Sequence, residues 1–179
     1  MKLLKLIFSL AAFAATSAAQ AATYNYTTLQ YPGAMGTYPN AISSSGTIAG
    51  YYWDTSYFSH GFVYSGGTFT QVDAPGAVAS GTFITGINDA GVLSGYYFPA
   101  QGGTKCFTIN QGVFSYYKVP GVLDSYAQKI NNQNVSVGWY LANANIAASF
   151  RRSAFSGVSQ AARWASALST FKIAADSRT

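Results

Sequence analysis

Side chains able to do chemistry are scarce among the 179 residues of this chain. There is one histidine, His60, one cysteine, Cys106, and five carboxylates, all of them aspartate: Asp54, Asp73, Asp89, Asp124 and Asp176. Histidine is the one side-chain type whose ordinary charge change lies near neutrality, so His60 is the one candidate general base. No carboxylate stands at a fixed partner spacing from it, and a structural or surface histidine is the expectation. Cys106 lies in the extended run Thr104-Lys105-Cys106-Phe107-Thr108-Ile109 and reads as a small buried strand residue. Turn roles account for Asp73, Asp89 and Asp124. A glycosidase pair needs two carboxylates about 5–9 Å apart across a cleft, which spacing alone does not display. There is no G-x-S-x-G elbow, no H-E-x-x-H, no P-loop and no D-x-D-x-D run for calcium. One histidine and one cysteine build neither a His/Cys metal site nor a disulfide framework. The expectation is therefore no catalytic residue, no metal and no cofactor.

Aromatic side chains are the stronger signal. Tyr51, Tyr52, Trp53, Tyr57 and Phe58 crowd one segment, Tyr96, Tyr97 and Phe98 a second, and Trp139 and Tyr140 a third. Neighbours on a strand point to opposite faces, so about half of these rings must pack inside. Core packing accounts for Tyr51, Tyr96 and Trp139. Trp53 and Tyr57 fall outside the repeated core and are the candidate ligand-binding residues, as flat amphipathic surfaces for a sugar or a protein.

The elements that hold these rings repeat. Ile42–Tyr52, Ile87–Tyr97 and Ile130–Tyr140 align, with isoleucine spacings of 45 and 43 residues. Phe62, Phe107 and Phe150 keep the same spacings, and Pro32-Gly33, Pro75-Gly76 and Pro120-Gly121 recur at 43 and 45. Each unit reads as four short strands, in the middle unit about Thr82–Ile87, Val92–Phe98, Lys105–Asn110 and Val113–Val119. Asn88-Asp89-Ala90-Gly91 turns the first strand into the second, and Asn134 takes the place of Gly91 in the third unit. Gly66-Gly67 and Gln111-Gly112 close tight hairpins. Gly50, Gly95 and Gly138 fall inside second strands, where a missing side chain implies close backbone approach or a bulge. Tyr24–Gln30 has the phase of a lone fourth strand and is expected to pair beside Ile146–Phe150, strapping the two ends together.

The run Y-P-G-A, the pattern I-N-x-x-G-x-x-x-G-Y-Y, the triplet His60-Gly61-Phe62 and the G-G hairpin resemble the bacterial extracellular HAF-type repeat family. The other units keep only the phenylalanine of that triplet, as Lys105-Cys106-Phe107 and Ala148-Ser149-Phe150. The resemblance covers roughly residues 24–150 and implies export and β-propeller-like blades. The expected fold is all-β, three four-stranded repeats of about 44 residues, β-propeller-like. A β-trefoil, which also uses three four-stranded units, is the alternative.

Residues 1–21 place Lys2 and Lys5 before an apolar stretch from Leu6 to Ala15 and end in Ala19-Gln20-Ala21. That is a signal-peptide pattern, too short to span a bilayer, with cleavage expected after Ala21. The mature chain is expected to be secreted or periplasmic. The net charge of +5 concentrates at the ends: residues 22–150 carry −1 and residues 151–179 carry +4. A near-neutral body lacks the basic stripe that nucleic acid requires. At 8% charged and 16% aromatic residues, disorder and coiled coil are both excluded. The organisation is a signal peptide over 1–21, a three-repeat domain over 22–151 and a degenerate basic tail over 152–179, frayed or with a short helix over Ala161–Phe171. These features suit a secreted, non-enzymatic binding or surface module for an extracellular glycan or protein. The alternatives are a propeller-type hydrolase or lyase using Asp54 or His60 in a central cleft, and an outer-membrane barrel, for which the strands are too short.

Overall fold

The computed structural model describes residues 23–143 and 146–153. Residues 1–22, with the expected leader, and the stretch 154–179, with its candidate helix, lie outside the described residues. Among the described residues eleven strands form three antiparallel meanders. The first sheet runs β1 (Gly36–Ile42), β2 (Ile48–Trp53), β3 (Ser59–Ser65) and β4 (Thr68–Val72). The second runs β5 (Ala77–Ile87), β6 (Leu93–Pro99), β7 (Lys105–Asn110) and β8 (Val113–Tyr117). The third has β9 (Ser125–Ile130), β10 (Ser136–Asn143) and β11 (Ile146–Arg152). The fold is all-β, and the repeat units map onto the sheets one for one. The described sheets are separate and open, not one sheet closed on itself. Two extra residues between Pro75 and Ile87 lengthen β5 and swap the 43- and 45-residue spacings; its register jumps from Ala77 to Thr82.

One expectation fails. Tyr24–Gln30 is not a strand and does not strap β11; Tyr24 and Tyr26 are 76% and 93% exposed. A strand needs a neighbouring edge to satisfy its backbone. The segment instead reaches Tyr31, which stacks on Tyr52 at 3.7 Å and stays with the first sheet.

The sheets stack front to back. Ala49, Val63 and Val72 on the back of the first sheet join Ile84, Ile87, Leu93, Phe107 and Ile109 of the second in the main apolar cluster. Burying a side chain such as Phe107, at 0% exposure, stabilises the fold by about 1.5–3 kcal/mol. The back of the second sheet meets the third through Tyr117 and Phe150, whose ring centroids are 6.2 Å apart.

Repeated glycines set this geometry. A Cβ on Gly50, Gly95 or Gly138 would lie 2.1 Å from the carbonyl oxygen of Tyr38, Phe83 or Tyr126 respectively. Opposite each glycine the first strand bulges, skipping Asn40, Thr85 and Gln128 in the register. Two bulged residues reach the next sheet: Asn40 donates to the Ile84 carbonyl (2.8 Å) and Thr85 to that of Ala127 (2.9 Å). The bulges also free carbonyls. Lys129 Nζ donates to those of Asn40 (2.6 Å) and Thr85 (3.2 Å), so the first strands of all three sheets converge on one axis.

A ladder of rings runs across the stack: Tyr38, Tyr51, Phe83, Tyr96, Tyr126 and Trp139. Successive centroids are 4.8, 4.8, 4.9, 5.1 and 4.0 Å apart. Tyr51, Tyr96 and Trp139 are packing residues, as expected.

Candidate functional site

The structure gathers the titratable groups of the first sheet that the sequence leaves scattered. The two-residue turn Gly66-Gly67 pairs Ser65 with Thr68 and Gly61 with Val72, which brings His60 alongside Asp73. Asp73 Oδ2 accepts from His60 Nδ1 at 2.8 Å and from Gln71 Nε2 at 2.6 Å. Gln71 Oε1 accepts the Tyr52 hydroxyl at 2.8 Å. On the other side of the imidazole, Asp54 Oδ2 lies 3.5 Å from His60 Nε2. Tyr52 stacks on the imidazole at 5.1 Å, backed by Tyr31. Burial raises the Tyr52 hydroxyl pKa well above its ordinary value, helped by the Tyr31 hydroxyl and the carboxylates of Asp73 and Asp54.

Asp54 joins this cluster to the β2–β3 hairpin loop. Its Oδ1 accepts the N–H groups of Ser56 (2.8 Å) and Phe58 (2.9 Å), and its own N–H donates to the Phe58 carbonyl. The Phe58 N–H, then that of Ser56 and the neighbouring His60, hold the Asp54 carboxyl below its ordinary pKa. The loop so fixed presents Tyr57 at 65% exposure and Phe58 at 43%. Tyr57 sits at φ 64°, where the second sheet has Gly102 at φ 85°. A bulky residue in the left-handed region costs on the order of 1–3 kcal/mol and recurs at functional positions.

Of the two residues singled out from sequence, Tyr57 is exposed and Trp53 is half-buried, paired across the strands with Ser59 and Gly36. The sequence reading missed the company His60 keeps. It also gave Asp73, Asp89 and Asp124 to their own turns, whereas each reaches further. Asp89 accepts from Ser44 and Asn132 in neighbouring sheets, and Asp124 accepts the Thr104 N–H at 2.8 Å. Local turn capping falls to Asn88 and Asn131, whose side-chain oxygens accept the N–H groups of Val92 and Val135 at 2.9 Å.

Each imidazole nitrogen faces a carboxylate, and among the described residues no group of three His, Cys, Asp or Glu converges to hold a metal ion. Cys106 is buried in another sheet, and that burial pushes its thiol up to about 12. The cluster also sits on β3 and the residues just beyond β2 and β4, away from the axis where β1, β5 and β9 converge.

No family model, curated protein or solved structure matches the chain. The counterparts of His60 and Asp73 in the second unit are Lys105 and Lys118, so the polar cluster is particular to the first.

Proposed function

We propose that this chain is an exported, non-enzymatic binding module with propeller-like blades of the HAF-type repeat kind, and that it binds extracellular glycan at the β2–β3 rim of its first blade. The observation that carries the reading is the single carboxylate of Asp54. It fixes a loop displaying Tyr57 and Phe58 and at the same time flanks His60. Sugars are bound by flat rings beneath their C–H faces and by planar polar groups at their hydroxyls. Here Tyr57 and Phe58 supply rings, while Asp54, Asp73, Gln71 and His60 supply donors and acceptors at one rim. Preorganisation of the loop reduces the ordering cost on binding. Trp53 supports the loop base rather than the contact surface. Export rests on the leader pattern of residues 1–21.

Two measurements test this reading. Mass spectrometry of protein recovered outside the cytoplasm should give a mature chain beginning at Ala22; an intact leader would contradict it. The mature chain should give saturable signals on an array of microbial and plant oligosaccharides, abolished by Tyr57→Ala. Uniform silence, or binding indifferent to Tyr57, would overturn the glycan reading.

A further inference from the structure

Each contact between successive sheets recurs, and each leaves one half unused at either end of the stack. The loop following the first strand shows this most plainly. Ser44 N–H donates to Asp89 Oδ1 (2.7 Å), and Asp89 N–H donates to Asn132 Oδ1 (3.0 Å). Asn132, the third member, has no fourth loop to donate to among the described residues. Asn40 and Thr85 reach the carbonyls of Ile84 and Ala127, yet Gln128 at the same phase meets no next strand among the described residues. Tyr51 and Tyr96 contact the inner rings Phe83 and Tyr126 of the following sheet, and Trp139 ends the ladder. Burial agrees: Ala49 and Ser94 on the backs of the first two sheets are 0% exposed, whereas Val137 in the third is 44% exposed.

The front of the first sheet offers the complementary halves. Ile42 is 65% exposed where its counterpart Ile87 is 8%; beside that face, Tyr38, paired with Tyr51 at the free end of the ring ladder, is 46% exposed. Ser44 carries a hydroxyl acceptor where Asp89 and Asn132 carry carboxylate and amide oxygens. Pro39 presents a carbonyl at the phase of Ile84 and Ala127. Finally, among the described residues the third sheet has three strands where the others have four, and Tyr24–Gln30, with the phase of β4 and β8, has no partner strand.

We infer that a second copy of this chain packs the front of its first sheet on the back of the third, twice over, giving a two-fold ring of six blades. In that ring Val137 meets the partner's Ile42, Trp139 stacks on the partner's Tyr38, and Asn132 N–H donates to the partner's Ser44. Residues 24–30 of each copy lie beside β11 of the other and supply its missing fourth strand. The chain that links β4 to β5 follows the same path inside one molecule. Propellers close with four to eight blades, and two copies give the one multiple of three in that range. Both contacts are equivalent, so the ring closes with no sheet face left uncovered. The rim carrying Tyr57 stays outside: Gln101 and Gly102, at the same phase of the second sheet, are exposed although that sheet is packed on both faces.

The test is the mass of the full mature chain in solution, by light scattering or sedimentation. Twice the chain mass is expected at micromolar concentration. Val137→Asp should raise the dissociation constant at least a hundredfold and give a monomer with an unchanged far-UV spectrum. Val113→Asp, on a hairpin outside the contact, should remain dimeric. By the register of β3 on β4, Leu29 of one copy faces Ser149 of the other. The double variant Leu29→Cys/Ser149→Cys should therefore oxidise to a covalent dimer. A monomeric wild type, a dimer indifferent to Val137→Asp, or a disulfide closed within one chain would each overturn the inference. So would protection of Val137 by residues 154–179 of the same molecule.

Discussion

The carboxylate of Asp89 accepts the backbone N–H of Ser44 at 2.7 Å, tying the loop of the second sheet to that of the first. Together with the Asn132 amide, this bond lowers the Asp89 pKa from its ordinary 3.8. A carboxyl whose pKa is depressed on folding contributes stability that is present above its unfolded value and lost as pH falls through the folded one. Acid unfolding should therefore set in below about pH 4. Asp89→Asn should lower the melting temperature at pH 7 and flatten its fall between pH 5 and 2. An equally steep fall in the variant would show that Asp89 does not link the loops.

Gly95 has no room for a side chain. A Cβ there would meet the Phe83 oxygen at 2.1 Å and the Phe107 ring at 2.7 Å. The backbone oxygen cannot swing aside as a side chain can. Gly95→Ala should destabilise the protein by about 3 kcal/mol or more, read by denaturant unfolding. Gly112→Ala is the instructive contrast. Nothing lies within 4 Å of a Cβ there, so any loss comes from its φ of 79° alone and should be smaller.

Cys106 should behave as packing. Its thiol is fully buried and pushed up to about 12, so a maleimide should label it only after unfolding. Cys106→Ser should cost about 1–3 kcal/mol from the buried hydroxyl and leave ligand binding unchanged. Loss of binding in a folded variant would contradict this assignment.

Tyr57 pits stability against function. Its φ of 64° is one that glycine adopts freely. Tyr57→Gly should raise unfolding stability by about 0.5–1 kcal/mol while weakening ligand binding. A destabilised variant would mean that the tyrosine ring supports the loop.

Much of the fold is legible from repetition. The middle unit's strands are expected over Thr82–Ile87, Val92–Phe98, Lys105–Asn110 and Val113–Val119; β7 lies there, β6 is shifted by one residue, β8 ends at Tyr117, and β5 gains Ala77–Gly81, where two inserted residues break the phase. Asn134 takes the left-handed conformation of Gly91, as its place in the repeat requires. The His60 site was legible in part, since the Gly66-Gly67 turn alone places residue 60 opposite residue 73. Missing it came from comparing His60 with its repeat counterparts Lys105 and Ala148, a comparison blind to whatever differs between units. The failed strap has another cause. Phase tells which strand Tyr24–Gln30 resembles, but pairing also needs an edge within reach, and phase carries no distance.

The central claim is binding through the Tyr57 loop, and a binding isotherm on one array-selected oligosaccharide tests it most directly. Wild type, Tyr57→Phe and Tyr57→Ala should be compared, with Trp53→Phe as the half-buried control. The account predicts that Tyr57→Phe stays within a few-fold of wild type, that Tyr57→Ala weakens binding at least tenfold, about 1.4 kcal/mol, and that Trp53→Phe changes little. Equal affinity of all four proteins for the sugar would contradict it.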